Sequence, residues 1–289
     1  MSVIVATYEW PDALDVMLQA LSDQSDRGFE VVVADDGSGA EVSAVVERWG
    51  DVFDGRVLHS WQQDDGYRRA RSLNQAALAA TGTYLLFVDS DCLPRRRFIE
   101  SVRRAAVPGW FLASKRLNMS AGLSRRVLKE RVPVWRWSAL RWFSTAPREV
   151  IVAPREAARP GLLLPVRDRR RPWRPEQPDF VPPYNGYGFC LGVGRRDFER
   201  VNGFETRFTG WGGEDVELAI RLRRAGLRCG WPGRQATLLH LWHEERKGRT
   251  SSNQPLVDET ESSSRVEAMV GLREIAAEVA PHELETAET

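Results

Sequence analysis

Short apolar runs alternate with amphipathic stretches along this chain, and the alternation sets the expected fold class. Residues 3–7, "VIVAT", form a β-branched run bounded by polar positions, which predicts a buried strand. From 11 to 22, Leu14, Met17, Leu18 and Leu21 recur at helical spacing behind Pro11, a residue suited to a first turn. "FEVVVADDGSG" at 29–39 predicts a second strand running into acids and glycines. The same rhythm predicts a helix stopped by Gly50, a strand at 56–60, a helix at 68–80 and the strand "TYLLFVDSD" at 83–91. This succession implies an α/β fold with a mainly parallel central sheet flanked by helices. Ligands of such sheets bind beyond the carboxyl ends of the strands, where Asp35, Asp36, Asp89 and Asp91 all fall.

From 115 to 183 the pattern weakens. "VWRWSALRWF" at 134–143 sets Trp135, Trp137, Trp142 and Phe143 among arginines, and the Pro- and Arg-rich stretch after it reads as a long loop. Order resumes at "RRDFERVNGF", with a helix expected over 215–226, a strand over about 235–241 and a last helix over about 264–279. The simplest division is one domain over 1–289. It comprises a first α/β half (1–114), a basic variable insert (115–183), a second half bearing the later acids and histidines (184–250), and a C-terminal helix and tail (251–289).

Composition narrows the class further. With 42% hydrophobic and 28% charged residues the chain is globular, and no apolar run approaches the length needed to span a membrane. "VIVAT" is too short for a signal peptide, and Cys92, Cys190 and Cys229 form no CxxC pair, so a reducing cytoplasmic setting is expected. The 41 basic residues comprise 38 Arg and 3 Lys, an association with GC-rich bacterial genomes. A formal charge of +1 hides an uneven distribution, because residues 95–175 hold 21 basic and 5 acidic side chains. That block suits a phosphate-bearing partner. Together with the tryptophans, it raises the expectation of peripheral contact with the inner face of an anionic membrane. Nucleic acid is not expected as a partner.

Four constellations carry candidate chemistry. Asp89 and Asp91 close an apolar strand, where carboxylates can hold a hard divalent cation that also binds phosphate. His240 and His243 stand three apart beside a predicted strand end; with an Asp they suit Mn2+ or a similar cation. "GWGGEDVEL" at 210–218 places Trp211 before Glu214 and Asp215 at a helix start, where the N-terminal dipole is expected to keep a general base ionised. Tyr67 and Arg69, in "DDGYRRARSLNQAAL", suit base stacking and phosphate pairing.

Taken together, these stretches resemble the family-2-type glycosyltransferases of the GT-A (Rossmann-like nucleotide-diphospho-sugar transferase) fold. The likeness is nearest to the β-1,4-galactosyltransferases and bacterial chondroitin-polymerase catalytic domains. It covers residues 3–92 and 184–275 and is most specific in "RRDFERVNGFETRFTGWGGEDVELAIRLRRAG". The resemblance implies a UDP-sugar donor held by Thr7, Asp36, Tyr67, Arg69 and Asp89. It implies Asp91 and His243 as metal ligands, with His240 a second histidine ligand, for Mn2+ or Mg2+. It further implies Asp215 as catalytic base, Glu214 on the donor sugar, and Trp211 and Tyr187 at the acceptor, in bacterial polysaccharide synthesis by inverting transfer to a glycan, lipid-linked or small-molecule hydroxyl. A mobile lid is implied after His243, closing through Arg246 or Lys247. Where galactosyltransferases have a Gly-Gly-Val segment this chain has "YGFCLGV", so their donor-sugar pocket does not transfer. Two other classes share part of the pattern: a nucleotidyltransferase acting on sugar phosphates, and a non-catalytic glycan-binding module.

Overall fold

The computed structural model describes residues 1–138, 140–142, 144, 150–151, 188–244 and 252–278. In chain order the strands are β1 (Ser2–Thr7), β2 (Glu30–Asp35), β3 (Val57–Trp61), β4 (Tyr84–Asp89), β5 (Cys92–Leu93), β6 (Trp110–Ala113), β7 (Arg116–Met119), β8 (Val150–Ile151), β9 (Cys190–Gly194), β10 (Arg228–Gly230) and β11 (Leu238–His240). The helices are α1 (Pro11–Ser22), α2 (Ala40–Gly50), α3 (Arg69–Ala79), α4 (Phe98–Ala105), α5 (Ala121–Glu130), α6 (Arg195–Arg200), α7 (Glu214–Arg224) and α8 (Gln254–Ser262). Every early element falls within a residue or two of its predicted bounds.

A seven-stranded sheet of order β10-β6-β9-β4-β1-β2-β3 forms the centre. β1 pairs in parallel with β2 and β4, and β2 with β3, whereas β9 runs antiparallel between β4 and β6. Alternation along the strands splits the core. Val3 and Val5 face α1, α2, α4 and α5, while Ile4 and Val32 face α3, α6 and α7. Both faces are therefore covered, which is why the central strands read as unbroken apolar runs.

A second, four-stranded sheet of order β5-β11-β7-β8 positions the site. β5 lies antiparallel to β11 with Cys92 opposite His240, so the turn after β4 is brought beside a strand almost 150 residues later in sequence. The Leu241 N–H donates to the Asp91 carbonyl at 2.8 Å and locks that register.

Two expectations need correcting. The weak pattern from 115 hides regular structure, since residues 115–138 supply β7, α5 and a 3-10 turn packed into the core. Trp135, Trp137 and Trp142 are buried, so they cannot serve as membrane-interface anchors. Their arginine neighbours cover them instead: Arg136 pairs with Asp23, which also accepts from the Trp135 Nε1–H at 2.6 Å, and Arg141 lies 4.5 Å over the Trp137 ring. Phe143 and most of the stretch to 183 lie outside the described residues. The second correction concerns 264–279, where turns run to 271 and helix is confined to 272–278. The Asn202 carbonyl and side-chain oxygen accept from the Leu272 and Arg273 N–H groups at 2.9 Å each and fix that later start. No helix among the described residues is long and apolar enough to cross a membrane.

Candidate active site

A cleft of about 1270 Å³ opens at the carboxyl ends of β1, β2 and β4 and is walled by β7, β11 and the start of α7. Asp89, Asp91, Glu214, Asp215, His240 and His243 all line it. So do Thr7, Asp36, Tyr67, Arg69 and Trp211. Residues separated by more than 200 positions in sequence therefore share one cavity.

The two acids of "DSD" have different partners. The Asp91 Oδ2 atom lies 3.3 Å from His240 Nε2 and 3.4 Å from His243 Nε2. Burial would raise its carboxyl, but hydrogen bonds from the two imidazoles prevail and hold it well below the usual carboxylate range. His243 Nδ1 donates to the Glu244 carbonyl at 3.1 Å, which leaves Nε2 facing Asp91. A proton on Nε2, or a cation held by both groups, satisfies this pairing. The oxygen and two imidazole nitrogens fit a borderline divalent metal. Trp10 meets His243 edge-on with ring centroids 5.9 Å apart and fixes its plane.

Asp89 instead belongs to Arg69. The guanidinium donates to Asp89 Oδ1 at 2.6 Å, to Glu214 Oε1 at 2.9 Å and to the Gly188 carbonyl at 2.8 Å. Burial opposes the Arg69 charge, but Asp89 and Glu214 outweigh it and keep the guanidinium protonated. Arg69 at the start of α3 thus ties the strand-end acid to a helix-start acid that lies 145 residues from the arginine in sequence. The second Glu214 oxygen, Oε2, is buried on the cleft wall without a hydrogen-bond partner among the described residues. An orphan acceptor of this kind fits a ligand hydroxyl.

Asp215 departs from expectation. Burial, then the neighbouring Glu214 charge, push its carboxyl up to about 7, against the lowering effect of Arg69 and the helix N–H groups. The helix terminus alone does not keep this acid ionised. It competes with desolvation, and the balance falls near neutrality. Gly188 crowds the carboxyl, since a Cβ there would stand 3.0 Å from Asp215 Oδ2. α7 itself is anchored by a fully buried pair, Arg221 on Glu217 at 2.6 Å, with the guanidinium also donating to the Val201 and Gly203 carbonyls.

The turn before α7 needs its glycines. Gly212 and Gly213 have φ of +87° and +101°, and a Cβ on Gly213 would meet the Phe208 ring at 2.9 Å. The turn carries Trp211, 47% exposed, on the cleft rim. Asn253 Nδ2 donates to the Gly212 carbonyl at 2.8 Å and steadies it from α8.

Near the carboxyl ends of β1 and β2, Thr7 Oγ1 is buried without a hydrogen-bond partner among the described residues. Asp36 accepts from Gln62 Nε2 at 2.5 Å and from the Arg68 N–H at 2.9 Å; burial raises its carboxyl. Burial likewise raises the Tyr67 phenol. Asp35, by contrast, turns to His59 at 2.9 Å and to the Ser38 N–H. Tyr187, Arg246 and Lys247 lie outside the described residues. Sequence reasoning missed Cys92, whose thiol donates to Asp91 Oδ1 at 3.2 Å and is kept protonated by burial. It also missed Trp10 and Gly188. The adjacency of Cys92 to Asp91 was the one signal available.

Comparison with known proteins agrees with this geometry. Residues 2–113 match the model for glycosyl transferase family 2, and residues 174–244 match the model described as the N-terminal domain of galactosyltransferase. Among curated proteins, validoxylamine A glucosyltransferase from Streptomyces hygroscopicus subsp. jinggangensis is 31% identical over 242 residues, covering 78% of this chain and 52% of that protein. Chondroitin synthase from Escherichia coli is 22% identical over 267 residues, covering 86% of this chain and 35% of its own length. The chain thus spans about half the length, or less, of these relatives. Among solved structures, the mannosyltransferase PcManGT from Pyrobaculum calidifontis, in complex with GDP-Man and Mn2+, aligns with a TM-score of 0.51 at 21% identity, covering 89% of this chain and 60% of that one. S. aureus TarS 1-349 in complex with UDP-GlcNAc aligns at 0.54 and 16% identity, covering 85% and 59%. At these identities the structures speak for the fold alone. On its family matches and its architecture, the chain belongs with the family-2-type glycosyltransferases of the GT-A fold.

Proposed function

We propose that the chain transfers a sugar from a UDP-sugar to an acceptor hydroxyl with inversion at the anomeric carbon. One observation carries this reading: a carboxyl balanced near neutrality, Asp215, shares a cleft with the Asp91–histidine cluster. A general base works best with a pKa near the operating pH. The acceptor oxygen bonds to the anomeric carbon as the bond to the diphosphate breaks, its electron pair leaving with the diphosphate. Asp215 takes the hydroxyl proton. Glu214 offers its orphan Oε2 to the donor sugar, and Trp211 offers a face to the acceptor. Thr7, Asp36 and Tyr67 flank the nucleoside end, while Arg69 holds Asp89 and Glu214 in register.

Asp91, His240 and His243 would hold the divalent cation, with Mn2+ favoured over Mg2+ by the two imidazoles. When bound, it would offset charge on the leaving phosphate. The TarS complex with UDP-GlcNAc and the PcManGT complex with Mn2+ give precedents for both ligands. A screen of UDP-sugars, reading released UDP with and without Mn2+, tests the reading. No UDP release from any donor would reject it, as would normal transfer by Asp215→Asn.

A further inference from the structure

We infer that Arg116 is a second cationic contact for the donor's diphosphate, set opposite the Asp91–histidine cluster. The inference rests on the proposed UDP-sugar chemistry and adds a residue to it. Arg116 opens β7 and lines the cleft. Its guanidinium lies over the Phe189 ring, 4.9 Å from the centroid. Among the described residues it makes no hydrogen bond or ion pair, although a charged guanidinium carries five N–H donors. Other cleft-side charges are spoken for. Arg69 is taken by Asp89 and Glu214, and Lys115 lies over Trp231 at 4.3 Å.

Position decides what Arg116 would bind. β7 lies beside β11, with Arg116 opposite Leu238 and Asn118 opposite His240, so it is on the strand next to the one bearing that imidazole. Its charge is close enough to act on Asp89. Phe189, beneath it, gives its carbonyl to the Asp89 N–H, and the preceding Gly188 abuts the Asp215 carboxyl. The guanidinium is thus held near Asp89, over a segment whose preceding residue abuts the Asp215 carboxyl, and all of these groups line one cleft. In a transfer of this kind the diphosphate must occupy that cleft, joined on one side to the reacting sugar. Asp89 does not satisfy Arg116, because Arg69 already holds that carboxylate at 2.6 Å. A planar guanidinium resting on an aromatic face keeps its N–H edge free for a pair of phosphate oxygens.

The test is calorimetric binding of UDP and of uridine to wild type, Arg116→Gln and Arg116→Lys, in EDTA and again with Mn2+. A charge-assisted hydrogen bond contributes about 10- to 100-fold in affinity. Arg116→Gln should weaken UDP by about that factor in EDTA and leave uridine unchanged, and Arg116→Lys should recover part of the loss. UDP affinity unchanged in both variants overturns the inference while leaving the transferase reading intact. So does a loss seen only with a UDP-uronate and not with UDP, which would assign Arg116 to a sugar carboxylate. Failure of the wild-type protein to bind UDP at all rejects both readings. The Arg116 side chain makes no hydrogen bond within the described fold, so neither variant should unfold the protein, and matching thermal transitions check this.

Discussion

Asp215 ties function to stability in one measurable quantity. Its folded carboxyl stands at about 7 against an ordinary value of 3.8, so the native state holds the proton more tightly than the unfolded chain. For a raised pKa, stability is greatest while the acid is protonated in both states. It falls as pH rises between the two values, and the full penalty persists above 7. Asparagine has the same shape and no charge to desolvate. Asp215→Asn should therefore be more stable than wild type, by a margin that widens with pH. Between pH 5 and 7 about 2 units of the shift act, or about 3 kcal/mol at 1.36 kcal/mol per unit. Solvent reaches one side of the half-buried carboxylate, which reduces this to about 1–2 kcal/mol. At about 2–4 °C per kcal/mol, the Tm gap should open by about 2–8 °C. Thermal unfolding of metal-free protein at pH 5 and pH 8 reads it directly. A gap that stays constant with pH, or wild type becoming the more stable at pH 8, would refute the reasoning. The same variant should keep UDP affinity and lose about 10²–10⁴ in transfer rate.

Wild-type kcat/KM should rise with pH through about 7 and level off above it, as the base loses its proton; a flat profile from pH 5.5 to 8.5 would point to another base. His243→Ala should lose most Mn2+ affinity in a titration followed by electron paramagnetic resonance, and unchanged binding would move the ligand set away from Asp91. Gly188→Ala should disturb Asp215 while preserving nucleotide binding, and normal kcat in that variant would contradict the close approach. Arg69→Met strands two buried carboxylates, so it should cost about 3–5 kcal/mol of stability in urea unfolding; a loss under 1 kcal/mol would show that the bridge is not buried in solution.

Local pattern was legible where it was repeated. Strands buried on both faces and helices with one apolar stripe announce themselves, so β1, β2, β4 and α1 to α3 were readable from sequence alone. "GWGGED" was legible as well, because the positive φ of its glycines and the acids at a helix start are both local facts. Long-range pairing was not. Nothing near Arg69 in sequence announces Glu214, and nothing near Cys92 announces His240, since both meetings depend on how sheets are ordered. The tryptophans of 134–142 misled for a related reason. Arginines beside a tryptophan look like a solvated surface in sequence, whereas in the fold Arg141 lies across the Trp137 ring and Arg136 reaches Asp23. Asp215 shows the same limit in energy terms. A helix start favours an ionised acid, but the opposing effects of burial and of Glu214 appear only when the cleft closes around it.

The placement of β9 has a consequence for anyone wishing to redesign this protein. β9 arrives after the long central stretch, yet it slots between β4 and β6, in the middle of the sheet the first half builds. The strand that completes the sheet of the first half is thus borrowed from the half that carries Asp215. Swapping the two halves between relatives as interchangeable cassettes should give insoluble hybrids, because each parent half would lack a central strand or leave one without neighbours. Donor and acceptor preference in such a chain must be altered residue by residue within one shared scaffold, with the two ends of the cleft evolving together.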